Sequence, residues 1–159
     1  MVLSSSKLRR FYLDNHAYFA TTVTNRRLKV FSDPSRAELL MRVNLNFQKQ
    51  DYFSLLAFVI MPDHLHLLLL PDGGKNISQV MHSIKRSSAR LIHQAEETSG
   101  TLWQRRFFDR VVRSEKELLD TIQYIHNNPV VDNLVEQADE YPFSSANPRY
   151  AADLRVPMG

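Results

Sequence analysis

Two apolar runs separated by three residues constrain this chain more than any other feature. Residues 52–60 (YFSLLAFVI) and 64–70 (HLHLLLL) flank Met61-Pro62-Asp63. Runs of this length and composition are strands, and so short a turn joins them as an antiparallel hairpin. Their longest apolar stretches fall well short of the ~20 residues that cross a bilayer. The opening residues MVLSSS lack the charged and apolar regions of a signal peptide. The expectation is a cytoplasmic protein without a membrane partner.

The other elements arrange themselves around this hairpin. Residues 18–24 (YFATTVT) are β-branched and aromatic, which predicts a first strand. Ser32-Asp33-Pro34 supplies an N-cap and a proline for the first turn of a helix over 34–50. Beyond the Pro71-Asp72-Gly73-Gly74 turn, Ile77, Val80, Met81, Ile84, Ser88, Leu91 and Ala95 recur at helical spacing. This predicts a long second helix, with Gly100 as its stop. Residues 102–113 (LWQRRFFDRVVR) read as a fourth strand. Ser114-x-x-Glu117 forms a capping box for a third helix, which Pro129 is expected to end. Short helical turn and irregular chain follow, through Tyr141-Pro142-Phe143-Ser144-Ser145. The order β-α-β-β-α-β plus a helix predicts an α+β fold of the ferredoxin-like or RRM-like split β-α-β kind. It would be an antiparallel sheet with helices on one face and a C-terminal helix carrying Tyr124.

With 159 residues the chain suits a single domain, and it contains no cysteine, so disulfides and thiol catalysis are excluded. Any metal must be held by His, carboxylate or amide groups. The net charge is +3 and the pI about 9.3. The basic residues cluster at Lys7/Arg9/Arg10, Arg26/Arg27/Lys29, Lys85/Arg86/Arg90 and Arg105/Arg106/Arg110/Arg113, several beside aromatics such as Phe11, Tyr12 and Phe31. Arginine neutralises phosphate and aromatics stack on unpaired bases, a mixture that suits single-stranded nucleic acid. A solvated basic surface would have the same composition.

His64 and His66 stand two apart on the third strand and so share a face, about 6.5–7 Å apart along the chain. Two imidazoles can close that gap onto one metal ion. Alternatively, they are two histidines on a partly exposed strand. His16, His82, His93 and His126 have no such partner and read as surface or packing residues. On the third helix Leu118, Leu119, Ile122 and Ile125 form the apolar stripe, and Tyr124 projects about 150° from it. Asn128 lies one turn on, on the same side, with Glu117, Asp120 and Thr121 sharing the polar face. The pair could offer a phenol nucleophile and an amide ligand, or could be an exposed tyrosine and a helix-ending asparagine.

Taken together, VIMPDHLHLLL (59–69), LWQRRFFDR (102–110) and Tyr124-Ile125-His126-Asn127-Asn128-Pro129-Val130 resemble the single-tyrosine HUH transposases. Within that group they look most like the bacterial REP-associated tyrosine transposases. The resemblance covers residues 10–148 of what would be one domain over 1–159. It implies His64 and His66 as metal ligands, Tyr124 as nucleophile, and Asn128 at the third-ligand position, where insertion-sequence relatives usually carry glutamine. It also implies a single-stranded DNA hairpin beside a short guide sequence as partner, and no nucleotide cofactor. Ligand softness would admit zinc, nickel or cobalt, and the family narrows the metal to Mg²⁺ or Mn²⁺. A monomer or a homodimer fits the resemblance.

The implied reaction is metal-dependent cleavage and rejoining of single-stranded DNA through a 5′-phosphotyrosine. A phenol, with an ordinary pKa near ~10, is both a nucleophile and a leaving group as phenolate. Candidate phosphate contacts are Arg26, Arg27, Lys85, Arg86, Arg90, Arg105, Arg106 and Arg110, which position a strand without reading it. Trp103, Phe107 and Phe108 are candidates for stacking on bases. Two other classes fit the same elements. One is a non-catalytic module binding hairpin DNA or RNA, and the other a metal-dependent phosphodiesterase that uses water.

Overall fold

The structure, a computed structural model, describes residues 15–154. The basic cluster Lys7/Arg9/Arg10 and the aromatics Phe11 and Tyr12 lie outside that range. Four strands form one sheet, β1 (Tyr18–Val23), β2 (Phe53–Met61), β3 (His64–Pro71) and β4 (Phe108–Val111). Three helices accompany them, α1 (Pro34–Lys49), α2 (Ile77–Glu96) and α3 (Glu115–Val131). The sheet order is β2-β3-β1-β4, and every neighbouring pair is antiparallel.

The register decides which residues meet. Thr21 lies opposite His66, and Val23 opposite His64. Val59 and Met61 of β2 oppose the same two histidines from the other side. Strand alternation therefore gives one face to Phe19, Thr21, His64 and His66. The other face carries Leu65, Leu67 and Leu69, all fully buried. The layer formed by α1 packed on α2 covers those leucines, and α3 crosses the histidine face. Both faces of β2 are thus covered, which explains why 55–61 is apolar throughout rather than alternating. The edge of β2 is closed as well. Val59 bridges to Ser144, and the N–H of Ile60 donates to the Phe143 carbonyl at 2.8 Å. The Tyr141 hydroxyl donates to the Ile60 carbonyl at 2.7 Å, so the C-terminal segment shields an edge that would otherwise pair with another chain.

Three boundaries differ from those read from sequence, each for a local reason. The fourth strand is only Phe108–Val111 rather than 102–113. Trp103 makes an isolated bridge to Thr24, after which the chain leaves the ladder. It is held there by α2: the Trp103 indole donates to the Ser88 hydroxyl at 3.0 Å, and the Lys85 ammonium donates to the carbonyls of Gln104 and Arg105. The second helix stops at Glu97, in the left-handed conformation with φ 55°, before Gly100 is reached. His93 then bonds Thr98 and the Gly100 carbonyl, so side-chain bonds secure the exit.

Pro129 does not end α3, which continues to Val131. Proline removes only its own N–H, and the Asp132 N–H still reaches the Asn128 carbonyl at 3.1 Å. The Ser114 hydroxyl accepts from the Glu117 N–H as expected. The Glu117 carboxylate, however, accepts from the N–H of Arg113 rather than that of Ser114.

Candidate active site

The histidine face of the sheet and the exposed side of α3 bring together residues far apart in sequence. His64 and His66 sit with ring centroids 4.6 Å apart. The Asn128 Oδ1 atom is 3.1 Å from His64 Nε2. The Tyr124 ring lies 5.5 Å from that of His66 and 6.0 Å, edge-on, from Phe19. Tyr124 is nonetheless 54% exposed, whereas its helix neighbours Leu118, Ile122 and Ile125 are buried. The apolar stripe of α3 does turn Tyr124 outward, but the stripe is narrower than its sequence suggests. Leu119 is partly exposed, and Thr121, expected on the polar face, is buried where it accepts from Arg110.

Each histidine is oriented by a second group. His64 Nδ1–H donates to the Asp63 carboxylate at 2.7 Å, and His66 Nδ1 lies 2.7 Å from the Thr21 hydroxyl. With both Nδ1 atoms engaged, both Nε2 atoms are left to face the site, the arrangement in which a second group orients a metal-binding imidazole. Burial, reinforced by the charge of His64, lowers the His66 pKa to about 3, so that ring stays neutral as a ligand must. Burial also raises the Asp63 carboxyl, but the hydrogen bond from His64 and the charges of His64 and Arg27 outweigh it and leave it below its ordinary value.

Two imidazoles and an amide oxygen are a donor set that fits a divalent cation. The His64 Nε2 atom and the Asn128 amide oxygen face each other, a hydrogen bond when Nε2 carries a proton and two donors for a cation when it does not. At 3.1 Å they are close enough that one cation could meet both. Among the described residues no three His, Asp or Glu side chains gather at metal-holding spacing. The Asn128 amide oxygen is the further side-chain donor that the structure sets against His64.

Sequence reasoning did not single out Thr21, Asp63 or Phe19. Asp63 had a signal, since it directly precedes His64, but it reads first as a turn residue. Thr21 had none, because its role exists only through the β1–β3 register.

The basic residues divide. Arg27 points its guanidinium to within 3.5 Å of the Asp63 carboxylate, carried on an Asn25–Arg27 turn where both Arg26 and Arg27 have positive φ. Arg110 lies 5.1 Å over the Phe19 ring and donates to Thr121, at the rim of the site. Arg86, Arg90, Arg105 and Arg106 are exposed. Lys85 is half-buried and donates to the carbonyls of Gln104 and Arg105, which ties the following loop to α2. Of the aromatics, Trp103 is buried against Phe31, Phe107 is half-buried beside Lys85, and Phe108 is 56% exposed. His126 is an internal packing residue that bonds Ser145 at 2.7 Å. No helix among the described residues is long and apolar enough to cross a membrane.

The IS200-like transposase family model matches residues 12–128 of this chain. The REP-associated tyrosine transposase of Escherichia coli (strain K12) is 28% identical over 144 residues, spanning 88% of this chain and 82% of that one. A solved structure of a REP-associated tyrosine transposase bound to a REP hairpin aligns with a TM-score of 0.67 at 25% identity, covering 91% of this chain and 86% of that one. The crystal structure of a candidate transposase from Deinococcus radiodurans aligns with a TM-score of 0.53 at 28% identity, over 70% and 88% of the two chains. The chain belongs to the IS200-like family of single-tyrosine HUH transposases, on its REP-associated side.

Proposed function

We propose that the protein cuts and rejoins single-stranded DNA beside hairpins, with Tyr124 as nucleophile and His64, His66 and Asn128 holding Mg²⁺ or Mn²⁺. The observation that carries this reading is the meeting of Asn128 with His64 at 3.1 Å while Tyr124 rests against His66. A packing role requires neither contact. The split β-α-β, ferredoxin-like reading of the sheet belongs with this proposal, since it places the histidines on a central strand and the tyrosine on a helix across it.

In the proposed reaction the Tyr124 hydroxyl gives up its proton to solvent as its oxygen attacks phosphorus. A phosphotyrosine bond forms, the bond to the 3′ oxygen breaks, and the leaving strand takes a proton to become a free 3′-hydroxyl. The phosphodiester's energy is kept, so the same hydroxyl, or one on another strand, can reverse the step. When bound, the metal withdraws charge from the non-bridging phosphate oxygens and orients them. Asp63 and Thr21 fix the two imidazoles, and the Phe19 ring supports Tyr124 at its edge. Arg110 and Arg27 stand at the rim to meet phosphates, with the exposed Arg26, Arg86, Arg90, Arg105 and Arg106 extending the basic surface. The set could act within one chain or be shared between the chains of a homodimer.

A hairpin oligonucleotide with single-stranded flanks, incubated with Mn²⁺ or Mg²⁺, should give a protein–DNA adduct that survives denaturation and fails to form with EDTA. Salt-sensitive binding with no cleavage under any metal would instead identify a binding module. Thr21→Val tests the positioning of His66. It keeps the strand residue's shape and removes its hydroxyl, and should raise the Mn²⁺ concentration for half-maximal cleavage about ten- to hundredfold. Saturating Mn²⁺ should restore most of the rate. An unchanged metal requirement would count against Thr21 as the group that orients His66.

A further inference from the structure

One exposed ring on the histidine face has no role in the proposed reaction. Strand β4 is an edge of the sheet, and its register puts Phe108 opposite Thr21 and Arg110 opposite Phe19. Both therefore point to the histidine face. His66, Thr21 and Phe108 form one row across β3, β1 and β4. Phe108 thus stands two strand spacings, ~9–10 Å, from His66 along that row. Helix α3 packs over β2 and β3, and the β4 end of the face is left exposed.

Phe108 is 56% exposed, close to the 54% of Tyr124, and the Phe19 ring meets both in T-shaped contacts, at 6.4 and 6.0 Å. A single exposed aromatic on a protein surface needs no explanation. This one shares its face with Arg110, whose guanidinium lies 5.1 Å over Phe19 and donates to the Thr121 hydroxyl, with the Glu117 carboxylate 3.9 Å away. Those contacts hold a cation beside an uncovered ring. Less than half of Phe108 is covered, so the ring contributes little to the core. A cation for phosphate and a flat apolar face for a base are the two components with which proteins hold single strands.

Resting on the reading of this site as one for single-stranded DNA, we infer that Phe108 is the stacking platform for a base neighbouring the phosphate that Tyr124 attacks, with Arg110 holding the phosphate beside that base. The platform sets the strand's path across β1 toward the histidines. Stacking on a phenyl face is open to every base, so it orients the strand without selecting a sequence.

The test uses the full-length protein and a DNA hairpin with single-stranded flanks, in a series that replaces one flanking base at a time with an abasic sugar. Each member keeps every phosphate and loses one base. Binding is measured in EDTA, and adduct yield separately with Mn²⁺. Base removal at one fixed position, which neighbours the junction in the cleaved product, should weaken wild-type binding about tenfold or more. Phe108→Ala should bind the intact oligonucleotide about tenfold more weakly and no longer respond to the loss of that base. Phe108→Leu keeps an apolar side chain against Phe19 and should behave like the alanine variant, whereas Phe108→Trp should keep the wild-type response. A penalty that persists in Phe108→Ala, its absence in the wild type, or a Phe108→Leu variant that binds as the wild type does, overturns the inference. A penalty confined to the proteins with an aromatic residue at 108, with no adduct from the wild type under any metal, would uphold the platform while rejecting the nuclease reading.

Discussion

His66→Ala is expected to lower metal-dependent cleavage by at least a hundredfold. The groups that merely orient a metal-binding imidazole are worth about ten- to hundredfold, and removing the imidazole should cost no less. His66 is the better test of the pair because only 6% of it is exposed, and its ring packs beside both Phe19 and Tyr124. The truncation also leaves a void, so a stability loss of about 2 kcal/mol accompanies it. Thermal melting separates the two effects. A protein still folded at the assay temperature, still binding hairpin DNA and no longer responding to Mn²⁺, is the expected outcome. Cleavage within about threefold of wild type at every Mn²⁺ concentration would remove His66 from the ligand set.

Tyr124→Phe should abolish the covalent adduct and reduce strand cleavage by a factor on the order of 10⁴ or more, as loss of a nucleophile does elsewhere. The substitution keeps the ring against His66 and Phe19 and removes only a hydroxyl at a half-exposed position. Stability should therefore change by no more than about 0.5 kcal/mol. DNA binding should survive, since the basic rim is untouched. Cleavage that continues without an adduct would mean that water is the nucleophile, and that the site is a phosphodiesterase built on the same metal-binding residues.

The parts of this site that could be read from sequence are the local ones. His64 and His66 share a face because a strand has a period of two, and Tyr124 leaves the apolar stripe because a helix has a period of 3.6. Neither statement needs tertiary structure. The Asn128–His64 contact is different: helical spacing places Asn128 beside Tyr124, but only the packing of α3 across β3 brings it to a histidine. Thr21 depends on strand register, and no pattern within β1 marks it out. The same holds for 102–107, where strand propensity is real but Ser88 and Lys85 of a distant helix draw the chain away. Pro129 misleads in the opposite sense, because a proline near a helix end costs one hydrogen bond and the remaining bonds carry the helix past it.

Identifying the residue that carries the DNA tests the central claim most directly. After reaction with the hairpin oligonucleotide and Mn²⁺, nuclease trimming and trypsin would release residues 117–149, a peptide containing both Tyr124 and Tyr141. Fragmentation by mass spectrometry must then place the nucleotide. Tyr141 is an internal control: its buried hydroxyl donates to the Ile60 carbonyl, and burial pushes its pKa up to about 12. The expected result is a nucleotide phosphate on Tyr124 alone, formed only with metal present. A nucleotide on any other residue, or cleaved DNA with no modified peptide, would contradict it.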